Sequence, residues 1–489
     1  MSRALRVLAS FSVLALAAGC FMERSFRVAP LVDEQIPPAD PILVESSSEA
    51  ASPIAVAVTP VATDAEYAKP SRPTAREWLV GAHASIESLL PKHEHRTLLT
   101  QDIIPNGQPI DVYAHFNKRF EDQKSVFSNF EGLQHSAQAT SWRFRIDEEL
   151  PPWPGFRDVT IPLGNYEMFA RLGLADRNGI PIDADCVVIL PGILGDTSGL
   201  RTRDMAEQLR ASGLHVLAIE MRGHGRTELR NPDVRYTFGL IEVGDLMHVS
   251  DWAESQPHVR RTGLIGFCWG GSQALLTAWF EGRAENDPFV VEKFRQFLPP
   301  PSSKRRFSAG VMSISPVLNY DDVMDALDVA QNPIQEPVLA TIQKTIASRA
   351  ARKGCSDQTG NLRHLIDCDL SNSELRSSSD DPDLRAFLRL MEYKGLQGGD
   401  KLESARMPVL ILNGINDPLC SSQRLAEFMA TIDNPNVAAM VLPGGGHVGF
   451  APYAKDYYYR LIVRFFDSKS GAAADPAPAA FVRTAARDQ

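Results

Sequence analysis

Thr262 to Gln273 reads T-G-L-I-G-F-C-W-G-G-S-Q. A short apolar run, Leu264 and Ile265 after Gly263, feeds a Gly-x-Cys-x-Gly-Gly turn and then a helix-forming segment from Gln273 to Phe280. This is the layout of a nucleophile elbow, in which the middle residue is held in a strained conformation between a strand and a helix. Its neighbours two before and two after must be nearly free of side chain, and Gly266 and Gly270 meet that need. Gly271 and Ala274 then allow the helix to pack close to the strand. The turn projects Cys268 at a helix start, where free amide donors and the helix dipole favour an anion. A thiolate is the state of cysteine that attacks. Taken alone, the same residues also read as a Gly-rich strand-to-helix turn around a buried thiol. Partners elsewhere in the chain decide between the two.

The chain has 489 residues, of which 44% are hydrophobic, enough for a large core. A formal net charge of -10 and a pI near 5.6 argue against a nucleic-acid surface. Beyond residue 20 no segment has the unbroken apolar length needed to span a bilayer. Residues 1–20 combine basic Arg3 and Arg6, an apolar run from Val7 to Ala18, and the ending Leu16-Ala17-Ala18-Gly19-Cys20. That is a signal peptide. Its end resembles a bacterial lipobox, although Ala17 stands where a larger aliphatic residue is usual; ordinary cleavage after Ala17 is the alternative. The expectation is an exported protein of the bacterial cell envelope, anchored to the membrane by a lipid on Cys20, or else periplasmic or secreted. Residues 21–74, rich in Pro, Ala, Ser and Val, read as a disordered tether, and residues 469–489 as a disordered tail.

Six cysteines are present. Cys355 and Cys368 lie close together in a polar stretch and could pair in an oxidising compartment, a point the sequence leaves open, whereas Cys186, inside an apolar run, reads as a core thiol. No spacing of Cys or His points to a metal, and no cofactor is expected. Residues 75–150 begin with a helix over Ala75 to Leu90. They carry His93, His95, His115 and His135 without ligand spacing, so each reads as solvated or hydrogen-bonded. This region is read as an N-terminal extension packed on the domain that begins near residue 151.

From about residue 151 to 468, strands and helices alternate. Arg157 to Leu163 and Tyr166 to Ala175 read as opening strands. Cys186 to Leu190 ends in Pro-Gly-Ile-Leu-Gly-Asp, and His215 to Glu220 ends in Arg222-Gly-His-Gly225. After the elbow come a strand Ser308 to Ser315, an insertion over about 317–405, a strand Val409 to Leu412 and a last strand Ala438 to Leu442. Such alternation implies a mostly parallel sheet covered by helices on both faces, with the chemistry at the carboxyl ends of its strands. Two of those ends complete a constellation. One runs into Asn413-Gly-Ile-Asn-Asp417-Pro418, the other into Gly444-Gly-Gly-His447. The chain order is nucleophile, acid, base.

On these motifs the sequence from about Arg157 to Phe466 resembles the α/β-hydrolase superfamily. The Ser315-Pro316 strand end and the helical insertion are most similar to the esterase and acyl-lipase branch that includes the embryogenesis-associated hydrolases. That branch normally has Ser where this chain has Cys268. The elbow itself resembles that of dienelactone hydrolases, which use Cys, and its Cys-x-Gly-Gly ending also resembles polyhydroxyalkanoate synthases, which transfer acyl groups. The resemblance implies attack by Cys268 on an ester, thioester or lactone of a small-molecule or lipid substrate. His447 then moves the proton, Asp417 orients His447, and the backbone amides of Trp269 and Ile193 hold the oxyanion. Asp321 or Asp322, after an earlier strand, is the competing acid. His224 reads as a structural turn residue. Pro191 stands where many relatives have His, which leaves the oxyanion amide in place. The insertion should cap the site, with Trp269, Met312 and an apolar face of Glu336 to Ala351 lining an acyl pocket. A different class also fits: a catalytically silent hydrolase fold serving as a tethered binding or scaffold protein.

Overall fold

The computed structural model describes residues 73–92, 96–116, 126–139, 152–283, 292–299, 305–328, 336–377, 380–388 and 402–467. Residues 1–72, which include Cys20 and nearly all of the segment expected to be a tether, residues 469–489, His93 and His95 lie outside them. Among the described residues nine strands form the main sheet. In chain order they are β1 Leu98–Leu99, β2 Arg157–Leu163, β3 Tyr166–Gly173, β4 Ala184–Leu190 and β5 His215–Ile219, then β6 Val259–Phe267, β7 Gly310–Ile314, β8 Val409–Gly414 and β9 Val437–Leu442. Every residue of β4, β5, β7, β8 and β9 is buried, so both faces of the sheet must be covered.

The spatial order is β1-β9-β8-β7-β6-β4-β5-β3-β2. From β5 through β4, β6, β7 and β8 to β9 every pairing is parallel. The edges, β2 on β3 on β5 and β1 on β9, are antiparallel. The period-2 alternation of strand side chains separates two cores. Val188, Leu264 and Val311 face one of them, with Leu246 of α4 (Glu242–Glu254) and Leu275 of α5 (Trp269–Gly282). Val187, Ile265 and Met312 face the other, with Leu79 of α1 (Ala75–Ile86), Met205 of α3 (Leu200–Ala211) and Tyr457 of α10 (Phe450–Phe466). Among the described residues, no helix is long and apolar enough to cross a membrane.

Two expectations are corrected. Arg157 does not open the sheet, because Leu98 and Leu99 pair with Val441 and Met440 and close its other edge. A two-residue strand leaves too short a pattern to read. Met312 cannot line a pocket with Trp269: it is fully buried in the opposite core, one residue out of phase with the strand positions on the Trp269 side. Otherwise the elements fall within a few residues of their expected places, the helix at Ala75 ending at Ile86 rather than Leu90. A capping box between Thr74 and Glu77 starts that helix. Arg76 docks it by donating to the carbonyls of Val437 (3.0 Å) and Ile432 (2.9 Å).

Between β7 and β8 the described part of the insertion is helical: α6 Tyr320–Asp328, α7 Glu336–Arg352, α8 Leu362–Ser371 and α9 Pro382–Leu388. Cys355 and Cys368, 13 residues apart, form a disulfide that links the end of α7 to α8. Closing so short a loop contributes on the order of 3 kcal/mol in the chain-entropy account. Cys186 is a buried free thiol.

Candidate active site

The elbow is built by absence of side chains. Cys268 follows β6 directly and has φ 54° and ψ -120°, a positive φ that a non-glycine residue adopts only where its surroundings dictate it. A Cβ on Gly266 would stand 2.2 Å from the Gly270 carbonyl oxygen, and one on Gly270 would stand 2.4 Å from that of Pro191. Cys268 donates its own N–H to Ile314 O at 2.9 Å, so the turn is tied to β7. Its side chain is half-buried, and a Cβ on Gly192, in the loop after β4, would stand 3.2 Å from the Cys268 Cβ and 3.9 Å from its sulfur. Among the described residues, neither the Trp269 nor the Ile193 amide donates to an acceptor. The Trp269 ring is buried, with Nε1 donating to Phe238 O (3.1 Å) and an edge contact to Tyr320 at the start of α6 (6.1 Å). The insertion therefore does reach the elbow.

His447 lies after β9 and Asp417 after β8, and they meet. His447 Nδ1 is 3.1 Å from both oxygens of Asp417, whose side chain is fully buried. Asp417 Oδ1 also accepts from the amides of Leu419 and Cys420, each at 2.9 Å, which fixes the carboxylate. The competing acids are engaged elsewhere, Asp322 with Arg424 Nε (2.7 Å) and Asp321 with Arg363 Nη1 (3.5 Å). Burial opposes a charge on His447, yet the Asp417 carboxylate and then Cys268 outweigh it and hold the imidazole pKa well above 6.5.

The His447 loop is held from three directions. Asn416 Oδ1 accepts from Gly446 N (2.9 Å), Ser315 Oγ from Val448 N (3.2 Å) and Ser136 Oγ from His447 N (2.7 Å). Ser136 belongs to α2 (Val126–Ala139), in the region whose role the sequence left open. Here α2 is pressed on the loop: a Cβ on Gly446 would stand 2.0 Å from Gly132 O, and one on Gly449 2.4 Å from His135 O. Nothing in the pattern around Ser136 marks it, because a loop-bracing serine looks like any other.

Cys420 is the other residue that went unread. Ligand-type atoms of Asp417, Cys420 and His447 lie within 4.8 Å of one another. Burial pushes the Cys420 thiol pKa up to about 12, so it stays protonated at neutral pH. A cation on His447 Nδ1 would have to break the Asp417 contact. The trio therefore fits a hydrogen-bonded pair with a thiol beside it better than a metal centre.

His224 is structural, as expected, but it sits at the site end of the sheet, with Nε2 2.6 Å from Ile193 O and Nδ1 2.9 Å from Arg222 O. Nearby, Glu220 ties the loop after β4 to the Arg-Gly-His-Gly turn. It accepts from Thr197 Oγ1 and from Arg226 N. Burial and the neighbouring Asp196 raise its pKa from 4.5 to about 7. An acid raised on folding contributes stability that is complete below its unfolded value and is lost as pH rises through its folded one. The wild type should thus lose on the order of 3 kcal/mol between about pH 4.5 and pH 8 from this group, since one pKa unit is about 1.4 kcal/mol. Glu220→Gln should flatten the fall of the thermal midpoint from pH 6 to pH 8; equal slopes in the two proteins would exclude Glu220 as its source.

A mostly parallel sheet that presents a strained Cys268, Asp417 and His447 at the ends of β6, β8 and β9, in that chain order, defines an α/β hydrolase. The chain belongs to the alpha/beta hydrolase family, whose sequence pattern matches residues 187–458. No curated protein matches it. Among solved structures it is similar to the esterase Pf2001 of Pyrococcus furiosus, at 16% identity over 63% of this chain and 91% of that one, with a TM-score of 0.39. Est1E from Butyrivibrio proteoclasticus is similar at 14% identity over 64% and 97%, with a TM-score of 0.36. The carboxylesterase EstE1, cloned from a metagenomic library, is similar at 14% identity over 71% and 96%, with a TM-score of 0.39.

Proposed function

We propose that the protein hydrolyses carboxylic esters, thioesters or lactones through an acyl-enzyme on Cys268. The observation that carries this reading is the buried Asp417–His447 pair, electrostatically coupled to the strained, half-buried Cys268. The Cys268 sulfur attacks the carbonyl carbon as His447 holds the thiol proton. The Trp269 and Ile193 amides face the developing oxyanion. The C–O or C–S bond then breaks, and the leaving group takes the proton from His447. Water attacks the thioester, passing its proton to His447, and the acid product leaves as the sulfur is restored. Asp417 keeps the imidazole in the orientation that both steps use.

Acid quenching during turnover of short-chain p-nitrophenyl esters, alkyl thioesters and lactones, followed by peptide mass spectrometry, tests the reading. The Cys268 peptide should carry the mass of the acyl group. No adduct and no hydrolysis with any of the three would favour a silent scaffold. Against that alternative stands the cost of keeping Cys268 at φ 54° and ψ -120°, outside the left-handed helical region, on the order of 1–3 kcal/mol.

A further inference from the structure

The peptide groups on either side of the Ile193 Cα are both pinned. Gly192 O accepts from Gly195 N at 2.8 Å. Ile193 O receives two side chains at once, Arg349 Nη1 at 2.6 Å and His224 Nε2 at 2.6 Å. Both ring nitrogens of His224 face carbonyl oxygens, but a neutral imidazole has one N–H to give. Burial, with Arg349 and then Lys353 nearby, keeps His224 neutral. The guanidinium is therefore the donor on which Ile193 O depends in either tautomer. Arg349 also donates through Nη2 to Gly223 O, so one planar fork joins the loop after β4 to the turn after β5.

Arg349 does not come from the sheet. It stands in the last turn of α7, in the insertion, and is itself buried. Just beyond it the insertion is braced twice: Lys353 Nζ pairs with Asp369 at 2.8 and 2.9 Å, and the Cys355–Cys368 disulfide joins the same two segments. We infer that Arg349 is a positioning residue for acyl transfer, through which the docked insertion holds the Ile193 amide in its donating orientation. This rests on the reading of Ile193 as an oxyanion donor. The insertion then completes the site as well as covering it, and the disulfide acts on the reaction through Arg349.

The test compares wild type, Arg349→Met, Arg349→Lys and the double variant Cys355→Ala/Cys368→Ala by steady-state ester hydrolysis and by Cys268 alkylation with iodoacetamide. Alkylation attacks a saturated carbon and forms no oxyanion, so it reads the thiol and His447 alone. Losing one oxyanion donor typically lowers kcat by about 10²- to 10³-fold, and misplacing one should approach the lower figure. Arg349→Met should lower kcat about 10²-fold with KM within threefold and alkylation unchanged. Arg349→Lys, which keeps one donor, should recover about tenfold of that loss, and the double variant should shift kcat in the same direction as Met. Where Arg349→Met does not fold, a tenfold loss in Arg349→Lys at an unmoved thermal midpoint supports the inference. It is overturned by a kcat within threefold of wild type in either Arg349 variant, or by parallel loss of alkylation, which would make Arg349 merely structural. Alkylation without hydrolysis of any acyl substrate by the wild type identifies the failure as that of the proposed function, and the inference falls with it.

Discussion

Cys268→Ala should abolish hydrolysis, with kcat falling by a factor on the order of 10⁴ to 10⁶, as expected when the nucleophile of a covalent mechanism is removed. The companion measurement needs no substrate. In the wild type Cys268 should react with iodoacetamide at neutral pH, and in His447→Ala that reactivity should drop sharply, because the group that takes the thiol proton is gone. Asp417→Asn separates orientation from charge. The His447 pKa is raised against the effect of burial, with Asp417 the largest favourable influence. In the acyl-enzyme the sulfur is uncharged, so Asp417 is what remains to hold the imidazolium. Deacylation requires the neutral ring, so wild-type hydrolysis should fall as pH drops through the raised His447 pKa. Asp417→Asn should move that acid limb to lower pH while cutting the maximal rate about 10³- to 10⁴-fold. A thiol that reacts equally in wild type and His447→Ala would break the nucleophile–base pair and return the protein to the scaffold reading.

Gly266→Ala should be nearly as damaging through a different route. The new Cβ would meet the Gly270 carbonyl oxygen at 2.2 Å, well inside van der Waals contact and between two backbones that cannot swing aside. Relief requires separating β6 from the start of α5, which carries the elbow. We expect a loss of about 3 kcal/mol or more, at the upper end of overpacking costs, together with loss of activity in whatever folds. Gly81→Ala is the control. It lies in α1 with nothing within 4 Å of its Cβ, and in a helix it should stabilise by about 0.5–1 kcal/mol. Urea titration followed by far-UV circular dichroism compares them. A Gly266→Ala protein within 1 kcal/mol of wild type would show that the elbow is looser than the contact at Gly270 requires.

What the sequence made legible was local chemistry at strand ends. Gly266, Cys268 and Gly270 stand within five residues, and their spacing states a steric requirement that few other structures share. Asp417 and His447 were readable because each closes a short apolar strand whose neighbours are glycines. What escaped was support from afar. Ser136 braces His447 across 311 positions, and Arg349 reaches Ile193 across 156. Neither residue carries a spacing, a run or a composition that names its partner. Met312 was misread for a related reason: a fully apolar strand hides which of its alternating residues face which core. Cys420 was passed over although it follows Asp417 by three residues, since the turn that folds its thiol back on His447 leaves no signal in residue type.

The brace on the His447 loop bears on what counts as the unit of this protein. The family pattern begins at residue 187, in the middle of a strand. Ser136, Gly132, the edge pair Leu98 and Leu99, and Arg76 all precede it and all touch β9 or the loop after it. A fragment cut to the family's limits would keep Cys268, Asp417 and His447 and would still expose the edge of β9 and strip one of three supports from the histidine. Evolutionary module and folding module do not coincide here, and divergence upstream of the shared segment can shift His447 without altering Cys268, Asp417 or His447 itself.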